Sequence, residues 1–332
     1  MAQMKKQISA DKQSPLFWPV FFKNKTIYVL DETALPRRLK YLRAKSAASA
    51  IRMIKEMRTR AFGQVLISYY IFLLVLGRNK KLKGARLIKI LRSTAREINQ
   101  ARPTFAFNVF TSMVLGWAEN ARAQNKDIVT SVTQNISGFL AHMRRQRLER
   151  AQRAARLIKD GDTILTHCNV SGEMVAIGRA CRKKKKRVKF IASETRPYLQ
   201  GSRLTAWELH RDGFEVRLIT DNMVGYCMSA GLVDKVIVGA DRFCSDGAII
   251  NKIGTYQLAI LARRHGIPFY ALTQREPHPR KSSQIKIEQR PDKEMLMVNK
   301  QRIAPYGVKG FYPAFDITPK ELISRTIELE VK

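Results

Sequence analysis

The alternation of short apolar segments with helical segments after Gly161 restricts the fold of this chain more than any other feature. Five segments rich in β-branched residues are predicted to be strands, at residues 163–166, 188–192, 216–220, 235–238 and 269–272. Four segments between them have helical periodicity, at residues 173–182, 201–211, 223–230 and 251–264. Strands joined in this way form a parallel sheet with both faces covered. We therefore predict a doubly wound, Rossmann-like α/β fold for residues 151–332.

The first half of the chain has a mostly helical pattern. A short β element is predicted between residues 25 and 41, and helices are predicted at residues 47–56, 65–76, 83–98 and from 109 to about 158. The apolar run at 65–76 is too short to span a bilayer, so we interpret it as a buried core helix and predict no membrane contact. The sequence thus indicates a mostly helical N-terminal domain at 1–150 and an α/β domain at 151–332.

Cysteine usage and the N-terminal residues favour a cytoplasmic protein. The four cysteines form no CxxC pair and no zinc-like spacing with the five histidines, so we expect reduced thiols. The first 25 residues contain no apolar segment ahead of a small-residue cleavage site, and we predict no secretory signal.

The chain is strongly basic, with 61 Lys and Arg residues against 27 Asp and Glu residues and a formal net charge of +34. Such a charge attracts phosphorylated substrates and, non-specifically, nucleic acid. The basic residues are spread along helical segments, and no aromatic and basic pattern typical of an RNA-stacking strand accompanies them. We therefore favour a solvated positive surface over a specific nucleic-acid function.

Polar clusters follow four of the predicted strands at their carboxyl ends. They read THCNVSGE, SETRPYLQG, TDNM and GADRFCSDG. The carboxyl ends of parallel strands lie along one edge of the sheet, where doubly wound folds bind ligands. Several of these residues also suit helix caps and turns. We nevertheless expect a site at this edge, built from Cys168, Glu194, Arg196, Gln200, Asp221, Asp241 and Arg242.

Cys168 and Asp241 have the acid–base chemistry that an isomerisation requires. Cys168 lies between a strand end and a Gly-containing turn into a helix, whose N-terminus favours a thiolate. Asp241 follows Gly239 and Ala240, which are small enough to let a ligand approach the backbone. A thiol and a carboxyl group on neighbouring loops can move protons in opposite directions. His167 adjoins Cys168 but points to the opposite face of a strand, which argues against a cysteine hydrolase.

Six segments, taken in order, resemble the methylthioribose-1-phosphate isomerases. They are ILTHCN (164–169), ETRPYLQGSRLTAWEL (194–209), LITDNM (218–223), VDKVIVGADR (233–242), NKIGTYQLA (251–259) and PAFDITP (313–319). These enzymes belong to one superfamily with the ribose-1,5-bisphosphate isomerases and the regulatory subunits of translation initiation factor 2B. The resemblance covers nearly the whole chain, weakly from LDETALP (30–36) and strongly from Gly161 onward.

The resemblance implies the site residues. The family's catalytic cysteine lies in the THCN motif, here Cys168, and its catalytic aspartate lies in GADR, here Asp241. The implied substrate-binding residues are Arg60, Ala61, Phe62, Arg102, Gln200, Asn251 and Lys252. In this set, arginine offers a fork for phosphate oxygens, lysine a point charge, and the amides hydrogen bonds to sugar hydroxyls. The resemblance implies neither a metal nor an organic cofactor.

The implied reaction converts 5-methylthioribose 1-phosphate to 5-methylthioribulose 1-phosphate in methionine salvage, in a cytoplasmic homodimer. We assign Asp241 as the acid that protonates the ring oxygen, and we expect an apolar pocket to raise its pKa. Cys168 then moves or stabilises charge during a proton or hydride shift between C1 and C2. The sequence leaves these two kinds of shift open.

Several motif positions depart from the family pattern. RGAP reads RAFG at 60–63, THCNAG reads THCNVSG at 166–172, NPAFD reads YPAFD at 312–316, and Ala248 replaces an aspartate. The changes leave two alternative substrates open, ribose 1,5-bisphosphate and another 5-substituted ribose 1-phosphate. A third alternative is a non-catalytic protein like the initiation factor 2B regulatory subunits, against which the retained Cys168 and Asp241 argue.

Overall fold

The computed structural model describes residues 13–103, 105–274, 279–298 and 301–329. They form two compact units, one of residues 15–145 and the other of residues 13–14 and 146–329. The units are divided inside one long helix, between Arg145 and Gln146. The predicted boundary, at residue 150, lies slightly further along the same helix, and residues 13–14 belong to the second unit instead of the first.

The unit of residues 15–145 combines a small antiparallel sheet with helices. Three strands pair in the order β1-β2-β3, at Val20–Lys23, Thr26–Leu30 and Tyr41–Ala44. Five helices follow, the last of which runs into the second unit: α1 Ala47–Lys55, α2 Ala61–Arg78, α3 Gly84–Ala101, α4 Phe107–Ala123 and α5 Ile128–Arg156. The predicted mostly helical region with a short β element is confirmed.

Helix α2 is the centre of the core of this unit. It runs over 18 residues, longer than the predicted run of 65–76, and polar Gln64 and Ser68 are buried in it together with the apolar residues. In length and apolar composition it is the one described helix that would suffice to cross a bilayer, but 72% of it is buried inside the protein. It packs against apolar side chains of β1, β2 and the other helices. The prediction of a buried core helix is confirmed.

The second unit contains a six-stranded parallel sheet. Its strands are β4 Thr163–Thr166, β5 Lys189–Ser193, β6 Val216–Ile219, β7 Lys235–Gly239, β10 Phe269–Gln274 and β14 Arg325–Leu329. Their order is β14-β10-β7-β4-β5-β6. The helices among them are α6 Glu173–Lys183, α7 Trp207–Arg211, α8 Val224–Ser229 and α9 Thr255–Arg264. The predicted α/β fold is confirmed, and the five predicted strands are all present.

The strand order reverses between β4 and β7. Chain order runs outward from β4 through β5 and β6 on one side, and from β7 through β10 and β14 on the other. The register pairs Leu165 of β4 with Ile191 of β5 and with Val236 of β7. The loops that follow β4 and β7 therefore leave the same edge side by side, at a topological switch point, where such sheets bind ligands.

A second, antiparallel sheet of three short strands adjoins the end of β7. Strands β8 Arg242–Phe243, β9 Ile249–Lys252 and β13 Phe315–Thr318 pair in the order β13-β9-β8. The prediction that residues 251–264 are helical is wrong at its start, because Asn251 and Lys252 end β9 and α9 begins at Thr255. Gly254 separates strand from helix with a φ of 101°, a left-handed backbone that glycine adopts without strain. The remaining short elements include α10 Lys293–Leu296, β11 Met297–Val298, β12 Gln301–Arg302 and a π-helical turn at Gly201–Ala206 that leads into α7.

Candidate active site

Residues 167–172, here called the thiol loop, connect β4 to α6. Cys168 is half-buried and has a φ of 63°, a left-handed backbone that disfavours residues with a Cβ by about 1–2 kcal/mol. Two buried threonines hold this conformation. The Cys168 N–H donates to Thr195 Oγ1 at 2.8 Å, and Thr205 Oγ1 donates to the Cys168 carbonyl at 2.6 Å. Both peptide groups of the cysteine are thus bound by protein, while its side chain stays accessible.

The residue after Cys168 ties the thiol loop to a buried carboxylate. Asn169 Nδ2 donates to Glu208 Oε1 at 2.7 Å and to Thr205 Oγ1 at 2.9 Å. Asn169 Oδ1 accepts from the Ser171 N–H at 2.9 Å, which closes the turn. Glu208 is 2% exposed and accepts a further bond from Ser14 Oγ at 2.6 Å. The loop is therefore fixed by side chains distant in sequence.

Two arginines of α5 hold the far end of the thiol loop. Arg147 donates to Glu173 Oε1 at 2.8 Å and to the Ser171 carbonyl at 2.7 Å. Arg150 donates through Nε to Glu173 Oε2 at 2.8 Å and through Nη1 to the Thr273 carbonyl. All three charged side chains are buried. Burial alone would raise the pKa of Glu173, but Arg150 and Arg147 outweigh it and lower that pKa.

His167 is a structural residue of the loop. Its Nε2 lies 2.8 Å from the Ile253 carbonyl and its Nδ1 lies 2.6 Å from Ser193 Oγ. A carbonyl only accepts, so we assign the proton to Nε2, and Nδ1 then accepts from the Ser193 hydroxyl. Burial is the main cause that lowers the pKa of His167, and the ring is neutral. With both nitrogens bound, His167 cannot serve as the base of a cysteine hydrolase.

Residues 240–248, here called the acid loop, follow β7. Asp241 donates its backbone N–H to the Ile250 carbonyl at 2.9 Å, and β8 then pairs with β9. The Asp241 side chain is exposed. The prediction of an apolar pocket around this carboxyl group is therefore wrong, because the described residues do not bury Asp241.

The acid loop and the thiol loop approach each other at Gly239. A Cβ placed on Gly239 would lie 3.2 Å from Cγ1 of Val170, a tighter contact than side chains normally make. The absence of a side chain at Gly239 therefore makes room for Val170. In the sequence analysis, the small size of this residue is attributed to the approach of a ligand alone. This packing fixes the spacing of the two strand ends that carry Cys168 and Asp241.

Asn251 and Lys252 are buried at the end of β9. Asn251 Nδ2 donates to Thr255 Oγ1 at 3.0 Å, and Lys252 Nζ donates to the Ala314 carbonyl at 2.9 Å. The Lys252 ammonium also lies 4.5 Å from the ring centroid of Phe315 and 5.9 Å from that of Tyr312. A desolvated cation held in this way has a fixed position, which suits recognition of a phosphate.

Tyr312 and Asp316 surround this pair and were missed by the sequence analysis as site residues. Burial is the main cause that raises the pKa of Tyr312, and Glu294 and Cys168 act in the same direction, so the ring lies within electrostatic range of the thiol. Asp316 Oδ2 accepts from the Gly254 N–H at 2.7 Å and the Tyr256 N–H at 3.1 Å, at the start of α9. Burial raises the pKa of Asp316 to about 6.

Gln200 lies at the carboxyl end of β5, beside β4. It is 5% exposed, and its Oε1 is buried without a hydrogen-bond partner in the described part of the chain. A buried amide oxygen without a partner costs free energy unless a ligand donates to it. Gln200 is thus prepared to accept a hydrogen bond, as expected of a residue that binds a sugar hydroxyl.

Three other predicted edge residues have local roles. The Asp221 carboxylate accepts from the backbone N–H of Thr195 at 2.8 Å and of Arg196 at 2.7 Å, so it holds the loop that follows β5. The Arg196 guanidinium donates to the Met295 and Met297 carbonyls and thereby holds the segment around α10. The pKa of half-buried Glu194 is raised, mainly by burial and secondly by the negative charge of Asp221.

The remaining predicted residues form a cluster in the unit of residues 15–145. Arg60 precedes α2, Ala61 and Phe62 begin it, and the Arg102 guanidinium donates to Gln64 one turn later at 3.3 Å. Arg60 also pairs with the buried Glu32 at 2.7 Å, and the Phe62 ring packs on Trp18. A helix N-terminus flanked by two arginines is a favourable place for an anion.

Thr195, Thr205 and Glu208 are the residues of this edge that sequence reasoning missed. All three fall inside the segment ETRPYLQGSRLTAWEL, and their side chains are buried. Thr205 and Glu208 are three residues apart and so share one face of a helical stretch, residues 201–211. A polar pair on the buried face of a helix was the available signal, since buried polar groups need partners.

Comparisons with known proteins agree with this geometry. The profile of the initiation factor 2 subunit family matches residues 65–328. The methylthioribose-1-phosphate isomerase of Thermotoga maritima is 39% identical over 317 residues, which covers 91% of this chain and 90% of that protein.

The chain belongs to the initiation factor 2 subunit family.

Two solved structures of this family have the same architecture. The 5-methylthioribose 1-phosphate isomerase of Pyrococcus horikoshii superposes with a TM-score of 0.83 at 28% identity, over 96% of this chain and 93% of that one. The translation initiation factor eIF-2B subunit delta of A. fulgidus has a TM-score of 0.77 at 33% identity, over 93% of this chain and 94% of that one. The family thus includes proteins described as enzymes and proteins described as initiation factors, and the site chemistry has to decide between them.

Proposed function

We propose that this chain is an aldose–ketose isomerase that converts 5-methylthioribose 1-phosphate to 5-methylthioribulose 1-phosphate, a reaction of methionine salvage. The observation that carries the proposal is the pairing of Cys168 and Asp241 on adjacent loops at the topological switch point, with the cysteine backbone held by Thr195 and Thr205. A non-catalytic regulatory subunit would need no such acid–thiol pair. Full-length likeness to isomerases supports the same conclusion.

The substrate groups have matching residues. Lys252 offers a buried ammonium for a phosphate, and Gln200 Oε1 accepts a hydrogen bond from a sugar hydroxyl. Asn251 offers an amide beside Lys252. In the unit of residues 15–145, Arg60, Ala61, Phe62 and Arg102 remain predicted substrate-binding residues, supported by their common position at the N-terminal end of α2.

The anomeric phosphate prevents ordinary ring opening, so the ring oxygen has to be protonated. Asp241 donates that proton, and the bond from C1 to the ring oxygen breaks. A hydrogen then moves from C2 to C1, and the C2 hydroxyl becomes the ketone as its proton returns to the Asp241 carboxylate. Asp241 is exposed in the structure, so the bound substrate has to supply the cover that excludes water from this carboxyl group.

Cys168 acts at the C1–C2 shift. In a proton shift its thiolate removes the C2 proton and the resulting thiol returns a proton to C1. In a hydride shift the thiolate stabilises the positive charge that passes between the two carbons. Both roles need the sulfur at one fixed position beside C1 and C2, which the hydrogen bonds of the thiol loop provide.

Turnover of purified protein on 5-methylthioribose 1-phosphate, followed by proton NMR, tests the proposal. We expect ketose from the wild type and from Cys181→Ala, a matched control at a buried cysteine, and none from Cys168→Ser. In D₂O, deuterium at C1 of the product identifies a proton shift, whereas a hydride shift leaves C1 without deuterium.

Other outcomes contradict specific parts of the proposal. Normal turnover by Cys168→Ser removes the role of the thiol. If the wild type does not turn over 5-methylthioribose 1-phosphate, that substrate is rejected and ribose 1,5-bisphosphate is tested next. Absence of turnover on both sugar phosphates would favour a regulatory role.

The proposal includes a cytoplasmic homodimer. Light scattering after gel filtration measures the mass of the assembly. We also expect non-specific attraction to nucleic acid from the charge of +34, which added salt should weaken steeply without any sequence preference.

A further inference from the structure

The ETRPYLQGSRLTAWEL segment supplies a clamp on the backbone of Cys168, and this clamp suggests a residue role that the reaction scheme leaves out. Thr195 comes early in the segment and Thr205 late, and both are fully buried. One binds the N–H of Cys168 and the other binds its carbonyl. The segment therefore does more than provide Gln200.

We propose that Thr205 is a positioning residue for the thiol of Cys168, which it holds in the left-handed backbone conformation that presents the sulfur to the substrate. The inference rests on the proposed function for its effect on turnover. Its effect on the thiol itself does not depend on which substrate is used.

The geometry gives Thr205 two bonds that stabilise the loop together. Its hydroxyl donates to the Cys168 carbonyl at 2.6 Å and accepts from Asn169 Nδ2 at 2.9 Å. One side chain thus connects both residues at the top of the thiol loop. A left-handed non-glycine residue persists only where its surroundings hold it. Without the hydroxyl, the Cys168 carbonyl loses this bond and the residue can relax to negative φ, which turns the sulfur.

Thr205→Val removes the hydroxyl and keeps the shape of the side chain. We expect kcat to fall about 10- to 100-fold because a displacement of about 1 Å in a reacting group has effects of this size, with KM changed less than about threefold. Thr205→Ser keeps the hydroxyl and should restore most of kcat. Thr273→Val is the matched control, since Thr273 is fully buried and its Oγ1 has no partner among the described residues.

The second readout is the rate at which iodoacetamide alkylates Cys168, measured against pH. Cys168 is the half-buried cysteine and the other three are buried, so alkylation reports on this thiol. In Thr205→Val we expect the pH midpoint of alkylation to shift by at least about half a unit, because the sulfur moves relative to the polar and charged groups around it. Thr205→Ser and Thr273→Val should keep the wild-type midpoint.

The outcomes separate this inference from the proposed function. Wild-type kcat and an unchanged alkylation midpoint in Thr205→Val would overturn the positioning role. A moved midpoint in a protein that turns over no sugar phosphate would keep the positioning role and remove the isomerase activity. If Thr205→Val does not fold, Thr205→Ala removes the same hydroxyl, together with the γ-methyl group, and its alkylation midpoint is read in the same way.

Discussion

The two loops at the topological switch point are held in place by different kinds of bond. Side chains from distant parts of the chain fix the thiol loop, through Thr195, Thr205 and Glu208. Backbone pairing fixes the start of the acid loop, where Asp241 donates to Ile250 and β8 pairs with β9. Backbone bonds form with almost any side chain, so the acid loop should tolerate substitutions that the thiol loop does not.

Asp241→Asn should have the largest effect on activity. It keeps the shape of the side chain and every backbone bond but has no proton to give, so kcat should fall about 10²- to 10⁴-fold while KM stays nearly unchanged. Steady-state kinetics on 5-methylthioribose 1-phosphate measure both constants. Turnover close to wild type would show that the proton comes from another group and that the acid loop has only a structural role.

Glu173→Gln tests how far the thiol loop depends on buried charge. The change leaves Arg147 and Arg150 buried without their carboxylate, which should lower the free energy of unfolding by about 3–5 kcal/mol. Urea unfolding measures it. Glu215→Gln is the control, because the exposed pair of Glu215 with Lys189 should contribute less than about 1 kcal/mol. Equal losses in the two variants would contradict the contrast between buried and exposed pairs.

Asp316→Asn tests the support of the acid-loop side, where a carboxylate caps α9. The pKa of Asp316 is raised from 3.8 to about 6, so the folded state holds its proton more tightly than the unfolded state. The stability from this group is complete below pH 4 and is lost as pH rises through 6. At about 1.4 kcal/mol per pKa unit the loss is roughly 3 kcal/mol.

Asn cannot titrate, so the asparagine variant should gain stability relative to wild type between pH 4 and pH 6.5. Urea unfolding of both proteins at these pH values measures the difference. A constant difference across this range would show that Asp316 keeps an ordinary pKa.

Ser245→Ala should have the smallest effect. Ser245 is exposed in the acid loop, and its backbone N–H donates to the Arg280 carbonyl whatever side chain it carries. The free energy of unfolding should stay within about 0.5 kcal/mol of wild type, and kcat should not change. A loss of activity comparable with that of Thr205→Val would contradict the idea that the backbone bond alone holds this position.

The parallel sheet was predictable because its strands are short apolar runs between periodic helices. The central strand at 163–166 has the predicted bounds, and the other four predicted strands differ by one or two residues, whereas the edge strand β14 was not predicted. The β8–β9–β13 sheet was not predictable, since β8 has two residues and β13 pairs with a segment some 60 residues away. Local periodicity contains no information about a pairing strand so distant in sequence. For this reason the prediction places residues 251 and 252 in a helix.

The candidate site was predictable as a place and less so as a set of contacts. Strand ends located Cys168 and Asp241, because topology dictates which edge they share. The same rule put Asp221 and Arg196 at that edge, but their bonds are to backbone groups that only the folded chain brings near. Thr205 is likewise buried by tertiary contacts. The spacing of residues within the motif does not predict these contacts.

Gly239 and Val170 also constrain how this sequence can change over generations. An alanine at 239 would bring its methyl group against the branched side chain of Val170, whereas a smaller residue at 170 would leave room for it. The order of mutations therefore matters, since an alanine at 239 meets a crowded contact before residue 170 becomes smaller and an open space afterwards. Lineages that enlarge one of these two positions should carry a reduced partner at the other, as a historical trace of how the thiol and the acid were kept side by side.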